Sequence, residues 1–474
     1  MASDPGSSLA TTAPPISSMG LGDLPTNILA AIMDLLSEHN DVVAFGQVNR
    51  SFNNSLSHLT YWAGSGTASA ALSRFPLLKS MTLRPPPIFS AGTSEMLCLT
   101  NETRFLMHLS ISKWVQVSNV GFTVRMPNLR SLNLSHSGIT NIDALIQLPH
   151  LQWLDLSHTA VREVSPLALC HSLVTLDISD TRVNNISCLR QSTSIRTIRA
   201  CLLTRQLSSP AYFPNQIRNL ELCHTEAIDS IEGLQLCHRL VSLNLTGSRI
   251  AQISVLSKCP RIMNLDLANT HISSIDVLQH LTRTESLNLS ATRLTQIDVL
   301  RFCHHIRILD LSHTGVHDLS PIRHLALTLR SLDVEQTRVA DLTPLSNFHK
   351  LTKLDARFSH VSDISPLSTC ISLQHLDISH TDVTTIDVLI PCHQLISVNA
   401  TYSNVVAAPN LLQHCPKLVD LSFCCSALID TRLCLHEAPC LLTPDDQDEF
   451  EPSLMAAQQA KNSPLARIRC CGIM

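Results

Sequence analysis

The hydrophobic positions keep time along most of this chain. "LQWLDLSHT" begins at Leu151, "LVTLDISDT" at Leu173 and "LQHLDISHT" at Leu373. Taking the first apolar residue as position 1, copies start at 129, 151, 173, 195, 217, 240, 262, 284, 306, 329, 351, 373, 395 and 418. Ten of the intervals are 22 residues and three are 23, and Thr284 is the one polar start. Each copy reads L-x-x-L-x-L, a period of two that predicts a short strand with one buried face. Weaker copies begin at Leu78 and Leu106. Position 9 is Ser or Thr in 13 of the 14 copies, a side chain that bonds to backbone as the chain turns out of the strand. Position 15 is Ser, Thr or Asp in eleven, with Pro next at Pro166, Pro210, Pro321, Pro344 and Pro366. That pairing predicts a helix N-cap followed by the first helical residue. About seven residues remain before the next strand, so the turn is short and of 3₁₀ type.

A strand, a tight exit and a short helical turn, repeated in register, resemble the leucine-rich repeat in its short 22-residue form, with Thr where most members carry Asn. The resemblance implies an α/β solenoid, with a parallel sheet on its concave face and short helical turns on its convex face. Each repeat buries its apolar side only against its neighbours, so such an array needs caps. The implied layout is 1–18 as a disordered leader, 19–63 as a helical module, 75–128 as degenerate repeats or cap, 129–440 as the solenoid and 441–474 as a flexible tail.

Composition sharpens this. Hydrophobic residues make up 44% and aromatics only 4%, so the core is aliphatic. The formal net charge of -4 leaves no basic surplus for nucleic acid. Cysteine recurs near position 20, at Cys170, Cys237, Cys259, Cys303, Cys370, Cys392 and Cys415. A thiol is a small hydrophobe suited to a repeated buried slot. The competing reading is a metal site built from Cys370, Cys392 and His393; without paired CxxC spacing the core reading is preferred. The "SHT" histidines His136, His158, His313 and His380 are repeat consensus, because catalysis needs one constellation with an orienting third group. The chain is therefore expected to be no enzyme, with no metal and no cofactor.

Position 5 faces outward from the sheet and is rich in Asp. Two readings stand: an acidic ladder for a basic partner, or a consensus spelling of the strand. Residues that are acidic here or break the polar monotony form the candidate substrate-binding set: Trp153, Asp155, Asp177, Arg199, Asp310, Lys353, Asp355, Arg357, His375 and Asp377. Ile308 is a further departure.

Before the repeats, Leu24, Pro25, Ile28, Leu29, Ile32 and Leu36 follow helical spacing, and Asp41, Val42, Val48, Arg50 and Phe52 continue the pattern. This stretch resembles the F-box over about 40 residues, although the family often has Trp where Phe52 stands. A plain helical cap would share the apolar spacing. The resemblance implies an adaptor-binding surface of Leu24, Pro25, Ile28, Leu29, Ile32, Leu36, Val42, Val48 and Phe52. It would dock a Skp1-type adaptor and, through it, a cullin–RING ubiquitin ligase, with the repeats selecting an unidentified protein substrate. The alternative is a repeat scaffold or phosphatase-regulator-like protein with no ubiquitin role.

The start, "MASDPGSSLATTAPPISS", lacks an apolar run, and no stretch approaches 18 uncharged apolar residues. The expectation is a cytoplasmic or nuclear protein with reduced thiols. After about Cys440 the repeat fails, and roughly 30 tethering residues would reach about 30 Å. They end in Cys471-Gly472-Ile473-Met474, which resembles a CaaX box with Met favouring farnesyl, Gly472 being the departure. Cys471 is the lipid acceptor this implies, with Cys470 as a second, giving peripheral membrane association. An accidental C-terminus is the competing reading.

Overall fold

The computed structural model describes residues 61–64, 79–83, 101–202, 213–225, 230–405, 408, 410–424 and 467–468. They fall into two compact units, one ending at Ala160 and one beginning at Val161.

In the first unit, strands Tyr61–Gly64, Ser80–Leu83, His108–Ser110, Ser131–Asn133 and Trp153–Asp155 pair in parallel, in chain order. The weak copies at Leu78 and Leu106 thus each supply a strand, and the ladder starts one strand earlier still. Tyr61–Gly64 closes a stretch expected to be wholly helical, and the rest of 19–63 lies outside the described residues. In the second unit the same three-residue strand recurs from Thr175–Asp177 to His375–Asp377. It lengthens to five residues at Ser397–Thr401 and Asp420–Cys424. All pair in parallel with their sequence neighbours, and Arg467–Ile468 adds to the last of them.

Register follows from position 4. Leu309, Leu332, Leu354, Leu376 and Val398 sit opposite one another across successive strands, each no more than 2% exposed. Burying each side chain is worth about 1.5–3 kcal/mol. A slip of one residue would turn the whole row to solvent. Thr284, the polar start, is also fully buried; its hydroxyl donates to the Leu281 carbonyl at 2.9 Å, so the slot holds a satisfied polar group.

The expected 3₁₀ turns form where the spacing put them, for example Ser165–Leu169, Asp276–His280 and Ser365–Thr369. Their third residues, Leu167, Leu278 and Leu367, are buried. One expectation is corrected. Position 15 is the first residue of the turn, and the preceding Ile, Leu or Val makes no side-chain cap. The capping oxygen comes from two residues before the turn. Asn141, Asn185, Asp318, Asp341 and Asp363 accept from the backbone N–H of Asp143, Ser187, Ser320, Thr343 and Ser365 at 2.7–2.9 Å. The residue types are those of a helix cap, but a 3₁₀ turn this short is entered through a side-chain turn two residues wide.

Position 9 behaves as read. In ten repeats its hydroxyl donates to the carbonyl three residues back, at 2.5–2.7 Å.

Candidate functional site: the outward face of the strands

Position 5 has a structural task. In eleven repeats its Asp or Asn Oδ1 accepts the backbone N–H of position 7, from Asn133 with Ser135 to Asn399 with Thr401, at 2.9–3.3 Å. The side chain pins the chain's exit from the strand. Asn does this as well as Asp, so the geometry alone does not demand negative charge. Where Asp rather than Asn is used, the charge has to be explained separately.

The predicted residues sort into three places. In the first unit, Trp153 and Asp155 flank buried Leu154, and Asp155 is held by the N–H of Ser157. In the second unit, Asp177 lies opposite Arg199, and Arg199 reaches the neighbouring Glu221 at 3.1 Å. Both partners of that ion pair are substantially exposed, so it contributes little. Arg199 and Glu221 cannot form the position-5 turn, and position 7 of the same two repeats is Cys201 and Cys223, joined as a disulfide with Cα atoms 4.6 Å apart. The expectation of reduced thiols is corrected at this pair: 22-residue spacing sets the two sulfurs side by side.

The remaining six residues come together. Asp310, Lys353, Asp355, Arg357, His375 and Asp377 lie on or just beyond consecutive strands, with Asp310, Asp333, Asp355 and Asp377 in one row and Ile308, Ser331, Lys353 and His375 in the next. Glu335, which sequence reading passed over, completes the cluster. Arg357 donates to Glu335 at 2.7 Å, and its Nε lies 3.4 Å from Asp355 Oδ1, close enough for charge attraction but not aligned as a hydrogen bond. Carboxylate oxygens of Asp333, Glu335 and Asp355 come within 4.8 Å of one another, and these three residues could hold a cation. Arg357 sets a guanidinium against two of them.

Five carboxylates here face two permanent cations, Lys353 and Arg357. Burial first, and that imbalance second, shift the carboxylates. Burial, then the neighbouring Asp333 carboxylate, pushes Asp355 up to about 6 against the pull of Arg357. Burial and the Asp310 charge raise Asp333. Glu335 and Asp355 hold the Arg357 guanidinium above its ordinary value.

A second column was not foreseen. Position 8 has a left-handed backbone in every described repeat from Lys113 (φ 69°) to Tyr402 (φ 56°). Its N–H reaches across to the next repeat's position-7 carbonyl, as His313 does to Glu335 and His380 to Thr401, at 2.8 and 2.9 Å. The sequence signal was present: His, Asp, Asn and Gly, which fill most of this column, are the residues that tolerate positive φ. The "SHT" histidines are therefore conformational, as His136 stacked on His158 at 4.0 Å illustrates. Lys113, Leu202, Ala291 and Gln336 depart from this set, as do the bulky Phe358 and Tyr402, whose positive φ costs of order 1 kcal/mol or more each. Phe358 and Tyr402 sandwich His380, with ring centroids 4.1 and 4.6 Å apart, and are 49% and 52% exposed.

The position-20 cysteines are core. All seven are buried, and burial lifts Cys170, Cys237, Cys259, Cys303, Cys370 and Cys392 to about 11–12. Six of them, Cys237, Cys259, Cys303, Cys370, Cys392 and Cys415, donate to a carbonyl of the preceding repeat at 3.4–3.7 Å. Among the following histidines, His238 and His393 bond to Lys258 and His414 carbonyls one repeat on, stapling the turns together.

The proposed adaptor residues Leu24, Pro25, Ile28, Leu29, Ile32, Leu36, Val42, Val48 and Phe52 lie outside the described residues, as do Cys470 and Cys471. Among the described residues no helix is long and apolar enough to cross a membrane.

Short parallel strands in register, Asx-pinned exits and 3₁₀ turns define a leucine-rich-repeat fold. The family model "Leucine rich repeat" matches residues 107–161. No curated protein matches the chain in sequence. Solved structures share the fold. A leucine-rich-repeat protein of Leptospira interrogans is 15% identical, with a TM-score of 0.59 over 78% of this chain and 92% of that one. TLR13 in complex with ssRNA13 is 16% identical, with a TM-score of 0.58 over 78% of this chain and 58% of that one. InlJ of Listeria monocytogenes, whose functional domain includes a cysteine ladder, is 17% identical, with a TM-score of 0.50 over 78% and 69%.

Proposed function

We propose that the chain is a non-catalytic protein-interaction scaffold whose binding surface is the outward strand face around Asp310–Asp377. The observation that carries it is the concentration of departures there. Ile308, Lys353 and His375 replace the small polar residues of position 3 on strands that also carry four consecutive Asp. None of the three is needed for the turn or the core. Photocrosslinking residues placed at Lys353 and His375 are expected to give protein adducts, and at Asp276 and Arg301, on the short turns, none. Adducts from the turn positions alone would overturn the surface.

A finer reading rests on the N-terminal motif. Leu24-Pro25 with Val48 to Phe52 supports an F-box, and hence a substrate receptor for a cullin–RING ubiquitin ligase through a Skp1-type adaptor. Affinity purification of the full chain tests it: Leu24→Ala with Pro25→Ala is expected to lose the adaptor, and its undiminished recovery would sink this reading while leaving the scaffold intact. Farnesylation at Cys471, with Cys470 as a second lipid site, would place that assembly on a membrane surface. Cys471→Ser should then abolish membrane partitioning, and unchanged partitioning would remove the anchor.

A further inference from the structure

Two consecutive repeats leave their strands without the usual pin. In the repeats on either side, Asp177 and Asn244 accept the position-7 N–H groups of Ser179 and Thr246 at 3.0 and 2.9 Å. Between them, Arg199 offers no acceptor, and Glu221 is engaged by Arg199 at 3.1 Å. The two position-7 residues are Cys201 and Cys223, bridged to each other. Their N–H groups turn to the preceding repeat: Cys201 donates to Ser179 Oγ at 3.2 Å, and Cys223 to Cys201 Sγ at 3.3 Å. The bridge and these two bonds take the place of the missing pins.

The core beneath does not depend on the bridge. Ile198, Ala200, Leu220 and Leu222 are fully buried, and the Leu202 N–H reaches the Cys223 carbonyl at 3.0 Å. Cys201 and Cys223 are only half-buried, whereas Cys237, Cys259 and Cys303 are wholly buried. Exposed disulfides are the labile ones. This one can be cut while the aliphatic rows stay packed, and neither exit has an Asp or Asn to fall back on.

We propose that Cys201–Cys223 is a thiol–disulfide exchange site, and that a dithiol reductant opens it and so frees the two strand exits that carry Arg199 and Glu221. A thiolate of the reductant attacks Cys223 Sγ. The new S–S bond forms as the Cys201–Cys223 bond breaks, and the electron pair leaves on Cys201. The Cys223 N–H already points at that sulfur and meets its charge, which favours Cys201 as the leaving group. The reductant's second thiolate then attacks its own sulfur in the mixed disulfide and displaces Cys223. The reductant departs as a disulfide, and its two protons end on the two cysteines. Glutathione disulfide as oxidant returns the bridge by the reverse exchange. The site is independent of the partner surface at Asp310–Asp377.

The test uses the full chain, treated with glutathione disulfide, alkylated and mapped by mass spectrometry. A linked Cys201–Cys223 peptide is expected. Dithiothreitol without denaturant should then open both cysteines to N-ethylmaleimide while Cys237, Cys259 and Cys303 stay unreacted. On reduction, amide exchange should quicken about tenfold or more at Cys201 and Cys223, and change less than about twofold across Lys353–Asp355. Arg199→Asn with Glu221→Asn restores the pins, so reduction of this variant should change exchange at the two cysteines less than about twofold. A dithiol protein reductant stripped of its second cysteine should be trapped on Cys223. The proposal is overturned by the lack of a linked peptide, by a bridge that opens only in denaturant, by exchange unchanged on reduction, or by an equal response in the Asn variant. Trapping on Cys201 would overturn the exchange step as written.

Discussion

Leu354→Ala is expected to destabilise the second unit by about 3 kcal/mol, within the range for large-to-small changes in tight cores. Leu354 is 1% exposed and lies between Leu332 and Leu376 in the row that sets register. Each repeat meets only its neighbours, so the cavity cannot be filled from elsewhere in the core. The loss should therefore be local. Amide exchange should quicken most across strands Ser331–Asp333, Lys353–Asp355 and His375–Asp377, and urea denaturation should shift with it. Lys353→Ala, one residue away but exposed, should stay within about 0.5 kcal/mol of wild type. A Leu354→Ala cost below about 1 kcal/mol would contradict the stacked-leucine core.

Asp355→Asn is expected to do the opposite and stabilise the protein at neutral pH. Asn holds the same turn at Asn133, Asn244, Asn288 and Asn399, so the Arg357 N–H keeps its acceptor. What changes is charge. The folded-state pKa of Asp355 is raised to about 6, above its ordinary 3.8, so the folded chain binds this proton more tightly than the unfolded chain. The stability due to that proton is fully present below pH about 4 and is lost as pH rises through about 6. Two pKa units set a ceiling of roughly 3 kcal/mol, and relaxation around Arg357 reduces the expected gain to about 1–2 kcal/mol at pH 7. Urea midpoints of the two proteins should separate between about pH 4 and 6, stay apart at pH 7 and converge below pH 4. Asp318 and Asp363, whose pKa values are lowered by hydrogen bonds from Ser320 and Ser365, have the reverse pH dependence, but they are common to both proteins and cancel in the difference.

The period-two strands and their spacing of 22 or 23 residues were legible because each repeat states them again. Leu354 and its counterparts needed no structure to be assigned to the core. So were the buried cysteines, since one slot recurring in seven copies is a packing position. The cap at position 15 was misplaced because Ser, Thr and Asp suit both a helix N-cap and the first turn residue; Asp363 settles the matter only once its oxygen is seen on the Ser365 N–H. The role of position 5 was hidden because a side chain turning back on its own backbone looks, in sequence, like an acidic stripe. Glu335 and the ring ladder escaped because positions 7 and 8 vary in chemistry. Position 7 shares only a carbonyl that accepts from the preceding coil, and at position 8 Phe358 and Tyr402 depart from the His, Asp, Asn and Gly that mark its left-handed backbone.

The central claim is that the Asp310–Asp377 face keeps its negative charge for a partner, at a cost to folding. Asp355→Asn, measured in the same buffer for urea stability and for partner adducts from crosslinkers at Lys353 and His375, tests it most directly. The account predicts higher stability at pH 7 together with adduct yield reduced three- to tenfold. A variant that is no more stable, or that gives adducts at the wild-type yield, would contradict it.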